Sequence, residues 1–200
     1  TLSTGTTTPV TGIVTNTGLD TIQSFDVSWT IGSSVFNTNI SGLSIPSLGT
    51  YNFSHPDLLE INTSGMYSLE VSIGNVNGQP ADSNATNDNI SADITVAEYG
   101  TISSGGFSRD YIYYHASSAS SSCPLVMVFH GYSGNAQDIM DYSAFNALAE
   151  EYGFAVCYPQ GTEDSFNTTF WNVGYDFQSG ETVNDVAFVN ELIDTLSSQN

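Results

Sequence analysis

The chain has 200 residues, no lysine, and a single arginine, Arg109, against 21 acidic residues. Nucleic acid is excluded as an expected partner, because phosphate recognition needs clustered Lys and Arg. Adhesion to anionic membrane surfaces is disfavoured for the same reason. The sequence also lacks any run of about eighteen apolar residues, so no membrane span is expected. It opens at Thr1 with neither an initiator Met nor a signal-peptide pattern, which reads as a processed or truncated start. No Gly-x-Ser-x-Gly occurs anywhere.

Charged residues are only 11% of the chain, and Ser, Thr, Asn and Gly fill the polar surface. That composition suits a secreted protein in salty medium, where screening weakens self-repulsion; an ordinary acidic secreted domain is the alternative. Sequons at Asn39, Asn52, Asn62, Asn84, Asn89 and Asn167 are what chance yields in such a composition. The two cysteines, Cys123 and Cys157, fall at opposite ends of neighbouring strands. At ~3.3 Å per residue this holds them roughly 10 Å or more apart. A disulfide needs Cα atoms within about 7 Å, so buried free thiols are expected.

Two halves with different periods remain. Residues 1–98 alternate with period two: Phe25, Val27, Trp29, Ile31; then Tyr67, Leu69, Val71, Ile73; then Ile90, Ala92, Ile94, Val96. Weaker strands are expected at Val10–Thr15, Val35–Ile40 and Tyr51–Phe53. Turn-like punctuation between them, and no helical period, indicate a small antiparallel sandwich. Residues 99–106, Tyr-Gly-Thr-Ile-Ser-Ser-Gly-Gly, read as a small-residue linker. In the second half, Phe107–Tyr114 is strand-like. Cys123–Phe129 and Phe154–Tyr158 are apolar runs flanking a helix at Asp138–Tyr152, with Phe145, Leu148, Ala149 and Tyr152 on its stripe. Such a βαβ unit implies a parallel, two-sidedly buried sheet. A second amphipathic helix over Glu181–Leu196 carries Val183, Val186, Val189, Ile193 and Leu196.

The Val14–Gly18 turn, the strands Phe25–Ile31 and Tyr67–Ile73, and the Asn/Asp-rich 82–89 stretch resemble the CARDB type of bacterial immunoglobulin-like domain, with its usual first strand short or absent. Oxygen ligands are dense in Asp82–Asn89, so a Ca²⁺ site competes there with a plain Asx-turn loop; no metal or cofactor is otherwise expected. Arg109-Asp110-Tyr111, Pro124–Gly131, Phe145–Ala149, Tyr152–Gly161, Trp171-Asn172 and Asn184–Phe188 together resemble the secreted polyhydroxybutyrate depolymerase and feruloyl esterase family over residues 107–196. The resemblance implies an α/β-hydrolase that cleaves carboxylic esters by a Ser-His-Asp triad. The expected fold is therefore two domains: an all-β immunoglobulin-like sandwich over 1–98, then an incomplete α/β-hydrolase over 107–200, three-layered with a mostly parallel sheet.

Ester cleavage passes through a tetrahedral oxyanion that backbone N–H groups stabilise. The expected oxyanion hole uses the N–H of Tyr132, with Gly131 giving backbone freedom and His130 bracing the loop; His130 as general base is the alternative. Ser133 follows the wrong strand and has the wrong spacing for a nucleophile elbow. Trp171 and Asn172 lie beside the expected cleft, where an aromatic stacks on an acyl or sugar group or merely anchors the loop. Asp185, in the first turn of the last helix, complements its dipole. His55 and His115 read as surface residues.

In this fold the triad begins on the strand after the second helix. Nucleophile, acid and base are therefore expected outside this chain. It reads as a fragment of a secreted or cell-surface protein of bacterial extracellular type, inactive on esters by itself, with an exposed apolar strand edge. The expected partner is an ester substrate, possibly polymeric; the amino-terminal domain is expected to contact polysaccharide or other domains of the parent. The competing function is a surface adhesion or carbohydrate-binding protein whose hydrolase-like part is degenerate.

Overall fold

The computed structural model describes residues 1–80 and 84–199. In chain order the strands are β1 (Leu2–Ser3), β2 (Thr7–Thr15), β3 (Ile22–Ile31), β4 (Ser34–Ile45), β5 (Thr50–Glu60), β6 (Gly65–Gly74), β7 (Asn89–Ser104), β8 (Phe107–His115) and β9 (Leu125–Met127). There follow α1 (Ala136–Ser143), α2 (Phe145–Tyr152), β10 (Ala155–Pro159), β11 (Thr162–Glu163), β12 (Thr169–Phe170) and α3 (Asp185–Gln199). The chain divides into two compact units: 5–62 with 67–95, and 1–4 with 63–66 and 96–200.

The first unit is built from strands and has no α-helix among its described residues. β3 pairs antiparallel with β4 and β6, and β2 pairs antiparallel with β5. The period-two pattern is the cause: Phe25, Val27 and Trp29 are at most 1% exposed, while the residues between them face outward or lie half-buried. Phe25, Val27, Ile22, Ile45 and Phe53 form one core, with Val14, Tyr51, Val71 and Ile73 against it. Residues of both sheets thus meet over a shared interior, as sandwich packing requires. His55, expected on the surface, is buried edge-on against Trp29. Its Nδ1 accepts the Asp57 N–H at 3.1 Å.

In the second unit β8 pairs antiparallel with β7 and β10, and β9 pairs parallel with β10. The sheet is therefore mixed, which corrects the expectation of a mostly parallel one. β7 and β8 are joined by Gly105 and Gly106, both left-handed, and a tight hairpin can only make an antiparallel pair. Parallel pairing occurs where α1 and α2 supply the crossover. The expected linker at 99–106 is likewise strand up to Ser104. Its small residues serve the sheet: Gly100 lies opposite Tyr111, whose ring occupies the space a Cβ would need.

Alternation along β8 and β10 sends side chains to two faces. Ile112, Tyr114, Val156 and Tyr158 meet Ala136 and Met140 of α1 and Ala149 of α2. Tyr111, Tyr113, Ala155 and Cys157 meet Phe188, Leu192 and Leu196 of α3. The expected single helix at 138–152 is two, broken at Ala144 with φ 55°. Cys123 and Cys157 are free, Cys157 buried and Cys123 half-buried, and Cys157 stands opposite Met127.

Asp82 and Ser83 of the possible calcium loop lie outside the described residues; among those described, no three His, Cys, Asp or Glu gather to hold a metal. Among the described residues no helix is long and apolar enough to cross a membrane.

Candidate functional site

The site grows from the ends of β9 and β10. Val128 extends the parallel pairing by donating to the Cys157 carbonyl at 2.9 Å. Phe129 then emerges, 41% exposed, and His130 turns inward to 4%. Gly161, two residues past β10, donates its N–H to His130 Nε2 at 2.9 Å. An acceptor Nε2 places the ring proton on Nδ1, which donates to the Gly131 carbonyl at 2.7 Å. Both imidazole nitrogens are thereby spent within the turn. A Cβ on Gly161 would collide with the Phe170 carbonyl and crowd the His130 ring, so this position needs glycine.

Trp171 closes the other side. Its indole N–H donates to the His130 carbonyl at 2.9 Å, and its ring meets Phe129 edge-on at 5.0 Å. Asn172 is held just as firmly. Its side-chain amide donates to the Glu181 and Val183 carbonyls at 3.2 and 2.9 Å, and its N–H donates to Asp185 Oδ2 at 2.6 Å. The Asn172 side chain is thus engaged with its own loop.

The turn itself runs Gly131-Tyr132-Ser133-Gly134. Gly134 N–H donates to the Gly131 carbonyl at 3.0 Å. The left-handed residue is Ser133, φ 63°, and a Cβ on Gly131 would meet nothing. This corrects the expectation that Gly131 supplies the backbone freedom. Ser133 donates its N–H to the Thr169 carbonyl at 2.8 Å. The backbone N–H of Tyr132 has no acceptor among the described residues. The Tyr132 ring is 55% exposed.

Three contributors escaped sequence reasoning. Gln160 ties the end of β10 to α1 and β8: its Oε1 accepts the Ala136 N–H at the start of α1, and its N–H donates to the Asp110 carbonyl, both at 2.9 Å. Asp164 accepts the Tyr132 hydroxyl at 2.9 Å and the N–H groups of Phe166 and Thr168. Burial pushes this carboxyl up, but those three donors outweigh it and hold it below the usual carboxylate range. The same bond raises the Tyr132 phenol. Arg109, the only strong base, is buried and bonds Asp185 at 2.6 Å, with its guanidinium 3.9 Å over the Phe188 ring. Asp185 therefore does more than complement the helix dipole: it is the buried counter-ion that ties α3 to β8 and to Asn172.

The turn has a backbone N–H, that of Tyr132, without an acceptor among the described residues, flanked by Phe129 and Trp171. Chemically it can receive a developing negative charge through backbone N–H groups. No curated protein matches the chain. The family model for esterase PHB depolymerase matches residues 109–200, which takes in every residue of this site.

Proposed function

We propose that residues 107–199 are part of a carboxylic ester hydrolase, polyester or feruloyl/acetyl polysaccharide esterase in type, and that the Tyr132 N–H is an oxyanion-hole donor. The carrying observation is an N–H without an acceptor among the described residues, past the end of a parallel strand, on a turn whose Ser133 and Gly134 N–H groups are both bonded. In the reaction a serine oxygen attacks the ester carbonyl and the carbonyl oxygen gains negative charge. A donor already fixed at that position stabilises the charge without reorganising, which is worth several kcal/mol. His130 braces the loop; with both nitrogens occupied it has no free site to act as general base. Trp171 and Phe129 form an apolar wall suited to an acyl group. Gly131, where a Cβ would meet open space, leaves the approach to the turn unobstructed.

Nucleophile, acid and base are proposed to lie outside residues 1–200, since no Gly-x-Ser-x-Gly is present. The amino-terminal unit is proposed to be a CARDB-like immunoglobulin-like accessory domain of a secreted or cell-surface protein. Its proposed contacts are polysaccharide or other domains of that protein. The purified 200-residue chain should not hydrolyse p-nitrophenyl acetate; activity tracking the chain would refute the assignment of the triad elsewhere. In a longer polypeptide that carries the nucleophile, Tyr132→Pro removes the N–H and should lower kcat by about 10²–10³-fold. An unchanged kcat would exclude Tyr132 as a donor.

A further inference from the structure

A donor contributes to oxyanion stabilisation only when it is held in place before the charge appears. His130 and Trp171 fix the strand end leading into the turn, and the His130 Nδ1–H bond to the Gly131 carbonyl holds the near side of the peptide that carries the Tyr132 N–H. The far side is the Tyr132 side chain and the Ser133 backbone. Those residues are held by a different part of the chain, the β11–β12 hairpin.

Three bonds make that grip. Thr169 of β12 accepts the Ser133 N–H at its carbonyl, 2.8 Å, and donates its hydroxyl to the Gly134 carbonyl, 2.5 Å. Asp164 Oδ2 accepts the Tyr132 hydroxyl, 2.9 Å. Asp164 is itself immobilised. Its Oδ1 accepts the N–H groups of Phe166 and Thr168 at 2.9 and 3.1 Å. Its own N–H donates to the Thr168 carbonyl and its carbonyl accepts from Asn167, both at 2.9 Å. The residue is 6% exposed. Pairing of Thr162 with Phe170 and Glu163 with Thr169 fixes the base of the hairpin. A carboxylate close to an oxyanion would oppose the reaction. Here its charge is shared among three donors and it acts from the far end of a tyrosine ring.

We infer that Asp164 is a positioning residue, which orients the Tyr132 N–H by clamping the Tyr132 phenol against the β11–β12 hairpin; this rests on the oxyanion reading of Tyr132. The side chain of Tyr132 is then a tether as well as part of the rim. The hairpin is part of the active-site scaffold, although it supplies no group that touches the ester. Tyr132→Phe removes one bond and leaves the N–H in place.

The test has two arms. In the 200-residue chain, amide hydrogen exchange and ¹⁵N order parameters are measured for Tyr132 and Ser133. Tyr132→Phe and Asp164→Asn should each loosen both amides while leaving those of β8 and β10 unchanged. In the longer, nucleophile-carrying polypeptide, each variant should lower kcat about tenfold with KM unchanged. The double variant should lose no more than either single one, because both remove the same clamp. Amides as rigid as in the parent sequence, or kcat within twofold of it, would overturn the positioning role. A drop in melting temperature with kcat intact would make Asp164 purely structural. An inactive longer polypeptide with its serine present would count against the esterase reading instead, and the amide measurements would still decide the clamp. Should Asp164→Asn fail to fold, Tyr132→Phe carries both arms.

Discussion

The two units bury polar groups on different terms. Among described residues the strand-only unit buries Asn16 and His55; the helix-bearing unit buries Ser104, Arg109, His130, Asn146, Asp164, Gln178 and Asp185. Both units also bury polar atoms without a partner, Trp29 Nε1 and His55 Nε2 in the first and Arg109 Nε, Ser143 Oγ, Thr162 Oγ1 and Gln178 Oε1 in the second; in the first, apolar packing carries the core. In the second, Arg109, His130, Asp164 and Asp185 are joined to one another's loops by bonds of 2.6–2.9 Å. A buried polar network costs desolvation and is stable only when its members are satisfied. Four of the seven, Arg109, His130, Asp164 and Asp185, gather around the carboxyl ends of β9 and β10 and the start of α3.

Each unit has one tryptophan, Trp29 and Trp171, so single-tryptophan variants follow them separately. The largest expected effect is Arg109→Ala, which strands Asp185 in the interior. Losing one partner of a buried ion pair costs about 3–5 kcal/mol. Urea unfolding followed by Trp171 fluorescence should shift by that amount, with the Trp29 transition unmoved. A shift shared by both probes would mean the units do not unfold separately. Next comes Gly161→Ala, where the added methyl meets the Phe170 carbonyl and His130. Overpacking of this kind costs roughly 1–3 kcal/mol, again on the Trp171 transition alone.

Smaller still is a pH effect. Burial pushes the Glu150 carboxyl up, but the Ser117 and Tyr114 hydroxyls and the N–H groups of Ser117 and Met66 hold it below the usual carboxylate range. Since its folded value is depressed, its stabilisation is complete above its unfolded value, about 4.3, and is lost as pH falls through the lower folded value. The helix-bearing unit should weaken across that window, and Glu150→Gln should flatten the dependence. Least of all, Trp29→Phe removes an unpartnered donor and some volume together. The two terms offset, and stability should stay within about 1 kcal/mol by hydrogen exchange of β3 amides. A loss of several kcal/mol would show that the indole N–H has a partner after all.

Much of this was legible in the chain, and the failures share a cause. Alternation identified β3 because Phe25, Val27 and Trp29 are buried almost completely. The strand-end pattern Phe129-His130-Gly131 located the turn because fully apolar strands must break there. The stripe on α3 was partly misphased: Leu196 is buried as expected, but so are Phe188 and Leu192, whereas Val186 is 71% exposed. An aspartate holds the inward position of the first turn, and hydrophobic periodicity cannot anticipate a residue buried by its ion pair. The break at Ala144 gave no signal either; just past it Asn146, a polar residue, is buried and accepts the Tyr158 hydroxyl at 2.7 Å. β11 and β12 have two residues each, too few to show a period, so Asp164 and Thr169 gave no signal.

The solitary arginine has one more consequence. Trypsin cuts only after Lys or Arg, so Arg109 is its one possible target, and there the side chain is sealed between Phe188 and Asp185. Digestion must wait for the helix-bearing unit to open, and then divides the chain once, into residues 1–109 and 110–200. The rate of that single cut is a built-in clock for opening of the unit that carries the turn, readable on a gel without any label.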